Sequence, residues 1–544
     1  MEPPTERPSE TVARSAGVVS AAVMLSRITG LVRERIMAGL FGASMAYDAF
    51  LLGFRIPNLT RDLFAEGALS SAFVPTFTEY LATKSKKEAN DLANLVATAL
   101  LVVVGSLCML GILLSPWLVR LLAPGFLDVP GKYDVAVRMT RIMFPFLLLV
   151  ALAAQANGIL NACHSFFIPA LASMFFNVTS VAAGLALGFW LGPHIGMTVL
   201  EGMAWGVVIG GLAQWLGQAP LLLRHGFTFR LRLQWNHPGL RHILSLMGPA
   251  ILGNAAVQVN VMVNTYFASL ITDPVRGQDG PVSWLSYAFR FMQLPLGLFG
   301  QAIGSATLPA ITRSAVAGKM DEFRKTLSHS LGMVFLLTLP SSVGLVVLGQ
   351  PMIGAIYQTG KFDAYDTRQT ATALACYAIG LAGYSALKVI VPAFYTLHDA
   401  RTPMVVSLLS VFVNFSVSWF VTRHSSIGHS GLALSTSVVA LFNFLVLFVI
   451  LRNRIGGVYG RALFATFAKV TLASALMGSA VYVVSGEIQS ALGTGLKARI
   501  VDLGLSIALG LALFYFLCRL FRVAELGLAA SALGPLRRLM RRQA

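Results

Sequence analysis

Arginines recur where this chain has least tolerance for them. Arg27 and Arg33 fall inside the first hydrophobic stretch, Arg55 and Arg61 inside the second, and Arg290 inside a much later one. An arginine at the bilayer midplane costs about 2.5–3.5 kcal/mol on insertion scales, so it persists where it meets water or an anion inside a helix bundle. A guanidinium stays charged at any physiological pH, and its planar fork donates paired hydrogen bonds to phosphate oxygens. The expected chemistry is anion recognition, with a pyrophosphate as the natural guest. Arg27, Arg33, Arg61 and Arg290 are the residues expected to contact it.

Carboxylates lie among them. On a regular helix Asp48, Arg55, Asp62 and Glu66 would stripe one face, although Pro57 removes a backbone hydrogen bond and is expected to kink that helix. These acids either staple helices together or support the site. With Glu34 they do not outnumber the arginines, so a positive surplus remains. Gln258, Asn260, Asn264 and Asn414 suit either cation coordination or helix fastening. The sequence carries no HExxH, P-loop or Ser-His-Asp pattern, and we expect a protein that is not an enzyme. Cys108, Cys163, Cys376 and Cys518 show neither CxxC nor CxxH spacing, which argues against a disulfide framework or a zinc site.

The elements that must position these side chains follow from composition. Of 544 residues, 56% are hydrophobic and 12% charged, with mean hydropathy +0.72. A soluble domain is nearer a quarter charged, so the fold expected is an all-α integral membrane protein. Stretches of about 20 apolar residues give about fourteen spans, centred near residues 28, 63, 106, 148, 178, 209, 255, 297, 336, 382, 413, 440, 474 and 508. The net charge of +18 lies mostly in loops, around Lys84–Lys87, Arg224–Arg232, Arg313–Lys325, Arg452–Arg461 and the tail from Arg537. Those loops fall on one side, which the positive-inside rule makes cytoplasmic. Both termini are therefore expected in the cytoplasm, the first span is expected to be retained, and no nucleic-acid partner is implied.

A repeat is written into the chain. Phe54-Arg55, Leu63-Phe64 and Val74-Pro75 match Phe289-Arg290, Leu298-Phe299 and Leu308-Pro309 at separations of 234 or 235 residues (55 to 290, 64 to 299, 75 to 309). The turn at Cys163-His164-Ser165 matches Leu397-His398-Asp399, again 234 apart (164 to 398). Six spans separate the copies, so they keep the same orientation, as in many alternating-access transporters. The expected organisation is a tail at 1–14, a six-helix lobe at 15–225, a linker at 226–238 and a parallel six-helix lobe at 239–454. Two further helices occupy 455–525, and a basic tail 526–544. Where Arg61, Asp62 and Glu66 stand in the first copy, the second has Leu296, Gly297 and Gln301.

The stretches Ser26-Arg27-Ile28-Thr29-Gly30 to Arg33, Asp48-Ala49-Phe50 and Pro57-Asn58-Leu59 to Glu66-Gly67-Ala68 resemble those of the bacterial MurJ/MviN family of lipid II flippases. Met247-Gly248-Pro249-Ala250, Val282-Ser283-Trp284 to Arg290 and Tyr357-Gln358 to Phe362 fit as well. The resemblance implies fourteen helices in two lobes around a central cationic cavity, with the last two helices forming a groove for a lipid tail. It also implies an inner-membrane transporter moving undecaprenyl-pyrophosphoryl-disaccharide-pentapeptide to the outer leaflet for peptidoglycan synthesis. Arg27, Arg33, Arg61 and Arg290 match the family's functional arginines, and Asp48 and Glu66 its functional carboxylates. Gln293 and Phe289 replace an acidic pair found in some members, and Gln293 and Arg55 join Asp48 and Glu66 as supporting cavity or gating residues.

The transport expected is a rocking of the lobes with no bound cofactor. Without an ATP-binding motif, the drive comes from the membrane potential, a monovalent cation gradient or removal of product. The nearest alternative is a flippase for another polyprenyl-pyrophosphate saccharide. A drug exporter would want carboxylates around a cationic guest, and a membrane glycosyltransferase would want acidic residues on a large outer loop.

Overall fold

The computed structural model describes the backbone of residues 8–61 and 69–527. Among these residues the chain is nearly all helix, with no strand beyond an isolated bridge between Asp273 and Gly277. Ten helices are long and apolar enough to cross a membrane, from Lys86–Leu122 to Leu496–Leu520. An eleventh span forms if the bent pair Ala364–Ile379 and Leu381–Thr396 is counted as one. Eleven of the expected centres fall on these. The other three, near 28, 63 and 255, fall on the arginine-bearing Pro8–Phe41 helix, the interval 62–68 outside the described residues, and the Pro238–Ser269 helix.

By backbone contact the chain divides into two compact units, Met1–Leu270 and Ile271–Ala544. In the first, Phe73 and Phe77 pack with Leu92, Val96, Leu147 and Ala151 in a continuous apolar core. Ser85 and Glu88 cap the start of Lys86–Leu122 reciprocally, each side chain accepting from the other's backbone N–H. The helices Phe167–Leu185 and Val199–Leu216 cross on glycine. A Cβ on Gly202 would lie 2.5 Å from the nitrogen of Gly188, and one on Gly206 2.3 Å from the carbonyl of Ser180. Such small-residue contacts bring helix backbones close where lipid supplies no hydrophobic drive.

In the second unit, Phe323, Leu327, Leu331, Ile390, Phe394 and Leu447 form the core. The final helices, Gly460–Leu492 and Leu496–Leu520, pack on Met320–Tyr357 through Leu336, Val470, Met477 and Phe514. The 41° bend after Ile379 frees backbone groups, and Ser437 satisfies them. Its Oγ accepts from the N–H of Gly380 at 3.0 Å and donates to the carbonyl of Cys376 at 2.6 Å.

The repeated turns share one backbone geometry. His164 and His398 both take positive φ, 58° and 56°. Ser165 N–H reaches back to Leu160 O at 2.9 Å, and Asp399 N–H to Phe394 O at 3.0 Å. Both are six-to-one closures of a helix end.

Candidate functional site

In the first unit the arginines are set by their neighbours on the next helices. Asn177 donates from Nδ2 to the carbonyl of Ser26 at 3.2 Å and packs against Gly30. The residue before it, Phe176, lies under the Arg33 guanidinium, whose carbon stands 5.2 Å from the ring centroid. That placement holds the guanidinium by its attraction to the aromatic face. Phe176 continues into a stack with Phe146 and then Phe54, at centroid spacings of 5.2 and 5.6 Å. An aromatic row therefore joins Arg33 of the first helix to the neighbour of Arg55 on the second. Arg33 stays 16% exposed, and its Nη2 lies 3.6 Å from the buried Glu34 carboxylate. Arg27 is exposed.

Along Met45–Arg61 the charges separate into two kinds. Asp48 is fully buried against Lys132, Oδ2 to Nζ 3.0 Å, and the ammonium also sits 4.6 Å from the Phe126 centroid. Arg55 donates from Nη1 to Thr265 Oγ1 at 2.7 Å, and that hydroxyl donates in turn to Val261 O. Arg61 is half-buried in the last turn. The helix runs through Pro57. Asp62 and Glu66 lie outside the described residues.

In the second unit Arg290 and Gln293 are exposed on Pro281–Pro295. Phe289 meets Tyr377 edge-on at 5.4 Å. A π-helical turn, Leu296–Gln301, follows directly, a widening of the helix that is frequent at functional sites. Gly300 and Gly304 then press on Leu381–Thr396, where a Cβ on Gly304 would come within 2.4 Å of Lys388 O. At the start of Pro281–Pro295, Trp284 Nε1 donates to Asp366 Oδ1 at 3.0 Å. Arg276 reaches Asp363 at 2.6 Å, and Tyr365 donates its hydroxyl to Asp273. Asn414 accepts from Ser435 Oγ at 2.9 Å, fastening Arg401–His424 to His429–Arg454.

Sequence reasoning missed Lys132, Phe176, Asn177 and Thr265. Each stands far along the chain from the charge it serves, and Phe176 and Asn177 read there as ordinary members of an apolar helix. Lys132 heads a mixed stretch that also carries Asp134, Arg138 and Arg141, so nothing there singled it out. The cysteines are unpaired among the described residues, and no cluster of His, Cys, Asp or Glu there suits a metal ion.

The family model described as lipid II flippase MurJ matches residues 37–502. A Burkholderia cenocepacia protein named lipid II flippase MurJ is 37% identical over 451 residues, covering 82% of this chain and 84% of its own. A Vibrio cholerae protein named probable lipid II flippase MurJ is 34% identical over 517 residues, covering 93% of this chain and 95% of its own. Among solved structures, one of lipid II flippase MurJ in an inward closed conformation superposes with a TM-score of 0.74 at 24% identity, covering 92% of this chain and 98% of that one. An inward-facing multidrug MATE transporter of the MOP superfamily follows at TM-score 0.67 and 13% identity, covering 81% and 98%. These two speak for the fold.

Proposed function

The chain belongs to the lipid II flippase MurJ family, and from that premise we propose how its residues act on a lipid-linked pyrophosphate. The cargo is lipid II, carried across a bacterial inner membrane by this multi-pass protein for peptidoglycan synthesis. Arg27, Arg33, Arg61 and Arg290 neutralise the pyrophosphate in a wet chamber. Asp48, Arg55, Glu66 and Gln293 support or gate it. The polyprenyl tail stays in lipid along Gly460–Leu492 and Leu496–Leu520. Both termini face the cytoplasm, where the basic loops lie. Alternating exposure of the arginines to the two sides moves the headgroup, and the membrane potential or a monovalent cation drives it.

The observation that carries this reading is Arg33. Its guanidinium carbon stands 5.2 Å from the Phe176 ring centroid, yet 16% of the side chain stays exposed. Phe176 and the neighbouring Glu34 orient the group, and the exposed part of the side chain leaves its planar fork available to a phosphate oxygen. Depletion of the protein is the test: lipid II should accumulate on the cytoplasmic leaflet. Accumulation of a different polyprenyl-linked saccharide, with lipid II distributed normally, overturns the cargo assignment.

A further inference from the structure

After the Ala219–Arg224 helix the chain turns at Gly226, where φ is 80°, and runs without helix to Pro238. Three amides in this stretch bind one helix. The N–H groups of Thr228, Arg230 and Arg232 donate to Asn90 Oδ1 at 3.2 Å, Asn94 Oδ1 at 3.0 Å and Thr98 Oγ1 at 3.0 Å. Acceptors four apart on a helix rise about 6 Å per step, and donors two apart on an extended chain advance about 6.6 Å. The two spacings agree, so residues 228–232 lie extended along the first turns of Lys86–Leu122. Arg232 adds an ion pair to Asp91 at 2.8 Å.

The side chains of this segment sort by parity. Thr228, Arg230, Arg232 and Gln234 are polar, whereas Phe229, Leu231, Leu233 and Trp235 are apolar and exposed by 54%, 74%, 57% and 42%. Four large apolar side chains in register on one strip are a liability in water. Their depth explains them. A 37-residue helix is about 55 Å long and the hydrocarbon core about 30 Å, while the uncharged run Leu92–Val119 spans about 42 Å and Arg120 marks its far end. The turns carrying Asn90, Asn94 and Thr98 therefore sit at the headgroup layer. Exposed Arg224 and Arg230 flank the strip, and Lys86 Nζ lies 3.1 Å from where a Cβ on Gly226 would stand. Basic groups beside aromatic and aliphatic ones match an anionic bilayer surface.

We propose that residues 228–235 are an interfacial lipid-binding segment. Phe229, Leu231, Leu233 and Trp235 enter the boundary between headgroups and acyl chains, and Arg224, Arg230 and Lys86 take the phosphates of anionic phospholipid. This site is separate from the arginines assigned to the cargo and does not depend on what the cargo is.

The test uses full-length protein, with its four cysteines replaced, in nanodiscs of phosphatidylglycerol or phosphatidylcholine. Nitroxides are attached at Phe229→Cys, Leu231→Cys and Leu233→Cys. Collision with oxygen should exceed collision with a water-soluble nickel chelate several-fold at all three positions, more so in phosphatidylglycerol. Arg224→Gln with Arg230→Gln should abolish that difference between the lipids. Preferential collision with the nickel chelate means a solvated segment and overturns the proposal. Shielding from both probes means cover by protein and overturns it equally. Should the cysteine-free chain fail to fold, radical footprinting of the unsubstituted protein decides. Phe229 and Trp235 should be protected in phosphatidylglycerol nanodiscs relative to detergent without added lipid, and equal labelling in both overturns the proposal.

Discussion

The Lys132 ammonium lies 3.0 Å from the Asp48 carboxylate, and neither side chain has any exposed surface. The pair joins the start of Met45–Arg61 to the start of Lys132–Met143. It thereby fixes the helix that carries Arg55 and Arg61. A buried pair is a poor source of net stability, but removing one partner alone is costly. Lys132→Met should destabilise the protein by about 3–5 kcal/mol, read as a fall in the thermal unfolding midpoint in detergent. Combining it with Asp48→Asn should recover most of that loss. Equal stability of the single variant and the parent would mean that the carboxylate does not depend on this ammonium.

For the arginines the readout is growth supported solely by a variant. Arg33→Ala and Arg290→Ala are each expected to abolish transport while the protein still inserts at normal levels. Arg33→Lys should retain part of the activity, because an ammonium keeps charge and can still meet the Phe176 face but loses the two-pronged grip on phosphate. Normal cell-wall growth on an Arg33→Ala, Arg61→Ala double variant would remove the arginine assignment.

Asn177 is a positioning residue, and Asn177→Leu should show it. Losing the hydrogen bond to Ser26 O costs about 0.5–1.5 kcal/mol, while the added bulk meets Gly30. The expected result is a folded protein with lower transport and altered cysteine accessibility at position 27. Unchanged accessibility there would show that the first helix is held by something else.

Gly304 leaves no room for a side chain, since its Cβ would stand 2.4 Å from the Lys388 carbonyl. Overpacking of this kind typically costs about 1–3 kcal/mol, so Gly304→Leu should lower the unfolding midpoint. Gly344→Leu serves as the control, since this glycine also lies in a helix but nothing stands within 4 Å of its Cβ position.

Outside the spans, Asp399 gives a pH dependence. The backbone N–H and hydroxyl of Thr402 donate to its carboxylate at 3.0 and 2.7 Å, and the Arg454 guanidinium pairs with it. Led by the Thr402 hydrogen bonds, these hold the Asp399 carboxyl below the ordinary aspartate range. A depressed acid stabilises the fold above its unfolded-state pKa and loses that contribution as pH falls through the lower folded-state value. Thr402→Val should shift the loss to higher pH. Unfolding midpoints measured across the acid range would check it, and identical profiles would exclude the carboxylate as a contributor.

Helix content and eleven of the span positions were legible because each is a property of contiguous sequence. Apolar length marks a membrane helix, and offsets of 234 and 235 residues need no structure to be seen. Pairings were not legible. Nothing in the sequence connects Asp48 with Lys132 or Arg55 with Thr265, because helices of uniform apolarity pack in many registers. Shape, not periodicity, selects one. Gly300 and Gly304 press on Leu381–Thr396, a partner that no local feature of the sequence names.

His164 and His398 hold the same left-handed backbone a duplication apart, although serine follows one and aspartate the other. A joint of this kind constrains φ rather than side-chain chemistry, so the copies were free to drift in charge while the joint stayed. That freedom accounts for Leu296 and Gly297 standing where the first copy has Arg61 and Asp62. The two turns thus keep one backbone form while the sequence around them differs.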